Sequence, residues 1–71
     1  MTNVPQNLRE MWSDIYKLFD LNYLMENNLE SWNKFLEQAN RIYEKYKTAC
    51  PKVLDMIIIV SELIEERMNE V

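Results

Sequence analysis

The sequence predicts an all-α protein, a three-helix antiparallel bundle, on three observations. Glycine is absent and proline occurs only at Pro5 and Pro51, which disfavours a turn-rich β fold and leaves long stretches free to run as helix. Apolar residues make up 48% of the chain, enough to oppose disorder even beside 28% charged residues. In three segments those apolar residues recur at i, i+3, i+4 and i+7, the period of one helix face. A chain of 71 residues makes one small domain, residues 1–71, whose core has little margin over conformational entropy. Homodimerisation is an expected way of completing that core.

The helices are expected at about 5–21, 28–47 and 51–70, from the apolar period and the turn residues between segments. Thr2 or Asn3 is placed to cap the first, with Pro5 in its opening turn, where a missing N–H costs no intrahelical bond. Its apolar stripe reads Leu8, Met11, Trp12, Ile15, Phe19 and Tyr23, with Tyr16 and Leu18 on the margins. Leu21, Tyr23, Leu24 and Met25 then break the period, and the neighbouring asparagines favour turns. Asn27 with Glu30 matches a capping pair for the second helix, whose stripe is Leu29, Trp32, Leu36, Ala39, Tyr43 and Tyr46, bordered by Phe35 and Ile42. Glu30–Lys34 and Glu37–Arg41 stand in the favourable i, i+4 order. Thr48 to Pro51 is short enough to make the second and third helices antiparallel neighbours.

The third helix carries the strongest signal. Val53, Ile57, Val60, Ile64, Met68 and Val71 form one stripe, flanked by Leu54, Met56 and Leu63. The run Met56 to Val60 is wider than one face can hold, so Ile58 and Ile59 fall off the stripe beside Asp55 and Glu62. These isoleucines, with Leu24, Met25 and Met11, are candidates for an exposed patch in want of cover. Net charge is −4, and its distribution is uneven: residues 1–54 balance seven acids against seven bases, whereas residues 55–71 hold Asp55, Glu62, Glu65, Glu66 and Glu70 against Arg67.

These features bound the chemistry. Without histidine or glycine there is no Ser-His or Cys-His pair, no histidine metal site and no glycine-rich phosphate loop. Glu62, Glu65 and Glu66 have helical spacing for Mg²⁺ or Mn²⁺ ligands, yet a solvated face explains them as well, and no cofactor is expected. Cys50 is the only cysteine, with no base beside it to activate it, which agrees with a reducing cytoplasm. Arg41, Lys45, Lys47 and Lys52, interleaved with Tyr43 and Tyr46, are the alternative nucleic-acid contact, but the tyrosines belong to the apolar stripe and the acidic total repels phosphate. No signal peptide or membrane span is legible, the longest unbroken apolar run being five residues.

The segments SWNKFLEQANRIYEKYK and CPKVLDMIIIVSELIEERM resemble small helical accessory proteins of bacteriophages and mobile elements of Gram-positive bacteria. That resemblance implies a cytoplasmic protein that binds and inhibits or redirects a bacterial host protein, and it carries over no catalytic residue. The reading from the residues is a non-enzymatic interaction module that uses Ile58 and Ile59 as apolar anchors and Asp55, Glu62 and Glu66 for orientation. Its expected partner is a second copy of itself or a bacterial host protein. A nucleic-acid module and a carboxylate metal enzyme are the alternatives.

Overall fold

The computed structural model describes residues 4–70. Three helices, α1 (Gln6–Asn22), α2 (Leu29–Tyr46) and α3 (Val53–Asn69), pack so that each touches the other two. Side-chain pairing gives the directions. Asn22 meets Gln38 while Asp14 meets Tyr46, so α1 and α2 run antiparallel. Arg67, near the end of α3, reaches Met25, just beyond the end of α1, so α1 and α3 run parallel.

The local chemistry at the helix ends differs in detail from the expectation. Pro5, not a polar side chain, occupies the N-cap of α1, and its carbonyl accepts from Leu8 and Arg9 N–H. Thr2 and Asn3 lie outside the described residues. At α2 the cap is Asn28, extended at φ −142° and ψ 166°, whose side chain accepts from Ser31 N–H at 2.8 Å. Asn27 instead accepts from the Trp32 indole N–H at 3.0 Å. Pro51 stands in the turn before α3 rather than in its first turn, and Lys52 is the cap residue.

The core is built from Met11, Ile15 and Leu18 of α1, Phe35, Ala39 and Tyr46 of α2, and Val53, Ile57, Val60 and Ile64 of α3. Each large aliphatic buried in this way contributes about 1.5–3 kcal/mol of transfer free energy. The stripe of α3 therefore packs as its spacing predicts from Val53 to Ile64, with Met68 partly buried against it; Val71 lies outside the described residues. The stripes of α1 and α2 are rotated from expectation. Leu18 and Phe35, placed on the margins by sequence, are buried, whereas Trp12, Leu29 and Leu36 are exposed. Met11 is 1% exposed and Met25 partly buried, so neither belongs to an exposed patch; Leu24 does stand out in solvent.

Polar groups inside the bundle are paired across helices. Asn22 is buried and donates from Nδ2 to the Leu18 carbonyl and to Gln38 Oε1, both at 2.8 Å. Tyr46 Oη donates to Asp14 Oδ2 at 2.6 Å, and Lys45 Nζ sits 3.4 Å from the same oxygen. Arg67 Nη2 donates to the Met25 carbonyl at 2.7 Å, with the guanidinium 5.7 Å from the Tyr23 ring centroid, which fastens the α1–α2 connector to α3. That connector is not a continued helix: α1 stops at Asn22, and Met25 N–H closes a turn onto the Asn22 carbonyl.

Candidate apolar interface

Ile58 and Ile59 are both exposed, at 46% and 55%, but they do not form one patch. Around a helix of 3.6 residues per turn each lies about 130° from the centre of the buried stripe, on opposite sides. Ile59 falls on the α1 side and lines a groove between α1 and α3. Ile58 falls on the α2 side, the same flank as Leu54, which lines a shallower depression with Leu36 and Tyr43 of α2. Asp55, Glu62 and Glu66 are exposed and occupy the ridge of α3 between these two flanks.

The α1–α3 groove is the more distinctive surface. Trp12, Tyr16 and Phe19 form its α1 wall, Met56, Ile59 and Leu63 its α3 wall, and Ile15 and Val60 its floor, around a volume of about 270 Å³. Trp12 is 56% exposed, and Tyr16 and Leu63 also open to solvent. Every lining residue is aliphatic, aromatic or methionine. The walls arise because Trp12, Tyr16, Phe19 and Tyr23 recur one residue beyond the buried line Met11, Ile15, Leu18 and Asn22, giving α1 a second apolar line at the same helical spacing. The helical period alone runs these two lines together as one stripe. The signal that separates them is the i, i+4, i+7, i+11 run of aromatics itself.

Asp55, Glu62 and Glu66 take no part in the ion pairs that tie the surface of α1 and α2, Lys34–Glu30, Lys45–Asp14 and Lys47–Glu44. Arg67, the one basic residue of α3, is turned to the connector. No group of three carboxylates or thiols positioned to hold a metal ion occurs among the described residues, so Glu62, Glu65 and Glu66 do not converge as ligands.

The basic residues are likewise dispersed. Lys45 is paired with Asp14 and Lys47 with Glu44, at 3.4 and 2.7 Å. At about 100° per residue Lys47 projects from α2 on the side away from Arg41 and Lys45, and Lys52 caps the next helix. Tyr46 is buried and Tyr43 packs against the core, so no stacking platform joins the four cations. The Tyr46 hydrogen bond and the Asp14 carboxylate both raise the Lys45 pKa, while burial and then the bond to Asp14 raise that of Tyr46. The hydrogen bond and charge of Glu44 raise Lys47. Cys50 is half-buried and free. No described helix is long and apolar enough to cross a membrane.

Comparison of the chain with protein-family models, curated proteins and solved structures gives no match.

Proposed function

We propose that this chain is a non-enzymatic protein-interaction module that presents α3, together with the aromatic wall of α1, to a protein partner. The observation that supports this reading is the groove bounded by Trp12, Tyr16, Ile59 and Leu63, apolar throughout yet open to solvent. Water against such a surface is released when a partner covers it, and exposed Trp and Tyr are the side chains that most often anchor an interface. Asp55, Glu62 and Glu66 supply a charged edge that orients what docks, as the polar rim does in protein complexes. Ile58, on the far flank, is peripheral to this docking geometry.

The resemblance to phage-borne accessory proteins extends the proposal to a bacterial host protein as the target, inhibited or redirected by occupation of one of its surfaces within the cytoplasm. The test is affinity capture from a bacterial lysate with wild type, Ile59→Gln and Ile58→Gln side by side, each checked for helical content. The expected result is a partner retained by wild type and Ile58→Gln and lost by Ile59→Gln. A partner equally retained by all three removes the groove from the function.

A further inference from the structure

The groove has a length, a polarity and a charged edge that together narrow its occupant. From Met56 to Leu63 on one wall and from Trp12 to Phe19 on the other, each side spans two helical turns, about 10 Å at 1.5 Å per residue. A trough of that length accepts side chains spaced i, i+3 or i+4, and i+7 on a docked helix. It opens to solvent along Trp12, Tyr16, Ile59 and Leu63, whereas small-molecule sites bury most of their ligand.

Charge then selects among helices. Asp55, Ile59, Glu62 and Glu66 follow one another at i, i+4, i+7 and i+11, so the apolar anchor is set within a line of exposed carboxylates that take no part in the ion pairs Lys34–Glu30, Lys45–Asp14 and Lys47–Glu44. A second copy bringing its own α3 to this edge would set carboxylate against carboxylate, which is unfavourable. We infer that the α1–α3 groove receives a cationic amphipathic helix of a different protein, its apolar stripe seated between Tyr16 and Ile59 and its Lys or Arg edge lying along Asp55, Glu62 and Glu66. This rests on the interaction-module reading and adds the chemical class of the partner.

The test uses the full chain with Trp32→Phe, so that emission reports Trp12 in the groove wall, titrated with three helical peptides. All three share one Leu stripe at i, i+3, i+4 and i+7 and differ only in flanking residues, which are Lys, Gln or Glu. The expected result is a blue shift of Trp12 emission with the Lys peptide bound at least about tenfold tighter than the Gln peptide, a gap that narrows as salt screens the charges. Glu62→Gln with Glu66→Gln closes that gap to within about twofold while Gln-peptide binding persists, and Ile59→Gln weakens both peptides. Equal binding of the Lys and Gln peptides, lost in Ile59→Gln, overturns the cationic partner while leaving the groove as an interface. No response to any peptide overturns the inference, and the lysate capture then judges the interaction reading separately. Sedimentation of the free chain as a dimer that Ile59→Gln dissolves also overturns it, in favour of a second copy.

Discussion

Ile57 and Ile58 are adjacent in sequence and opposite in environment: Ile57 is 8% exposed within the core and Ile58 stands nearly half in water. Truncation should therefore separate them. Ile57→Ala is expected to cost about 2–4 kcal/mol, the transfer term plus a cavity, and Ile58→Ala less than about 1 kcal/mol. Urea denaturation followed by circular dichroism measures both, and equal losses would mean that Ile58 is enclosed.

The Tyr46–Asp14 bond ties α2 to α1 and gives stability an alkaline limit. Burial, then the Asp14 bond, raises the Tyr46 pKa above its usual value of 10.0, so on titration the unfolded chain loses this proton first. The contribution is intact below about pH 10 and disappears as pH rises through the raised value. Thermal melts are expected to hold steady from pH 7 to 9 and to fall above pH 10. Tyr46→Phe should lower stability by about 1–2 kcal/mol at neutral pH and flatten the alkaline decline.

Asn22 is the buried polar residue at the end of α1, and its amide spans Leu18 and Gln38. Gln38→Ala leaves one amide hydrogen without a protein partner and should cost about 1–3 kcal/mol. Replacing both residues with leucine should recover much of that loss, because neither side then leaves a polar group behind. A double-mutant cycle of Asn22→Leu and Gln38→Leu by denaturant melts checks it, and additive losses would exclude the coupling.

Arg67 holds the connector by the Met25 carbonyl and the Tyr23 ring, while its Nε is buried without a hydrogen-bond partner. Arg67→Met keeps the apolar stem and removes both the tie and the unpartnered group. Hydrogen exchange should quicken at residues 23–26 while the helix cores keep their protection. Unchanged exchange in the connector would show that the guanidinium does not restrain it.

The all-α class, the helix count and the buried face of α3 were legible because the extra apolar residues of α3 flank Val53, Ile57, Val60 and Ile64 on both sides, leaving that line at the centre and Asp55, Glu62 and Glu66 opposite it. On α1 and α2 the two apolar lines are adjacent, Met11 beside Trp12 and Phe35 beside Leu36, and composition cannot say which line turns inward. Partner helices decide that: Leu18 and Phe35 are taken into the core, leaving Trp12 and Leu36 outside. The over-wide run on α3 marked Ile58 and Ile59 as needing cover from this chain or another, and their exposure is known only from the bundle. That the acidic ridge divides them follows from the helical period alone, whereas the opposing wall of Trp12 and Tyr16 follows only from the assembled bundle.

The claim on which the account turns is that the groove beside Ile59 faces water in the isolated chain. Acrylamide quenching of Trp12 in a Trp32→Phe background, at concentrations low enough to keep the chain dispersed, tests it most directly. Red-shifted, readily quenched emission is the expected result; blue-shifted emission that resists quenching at every dilution would show the groove already filled by the protein itself.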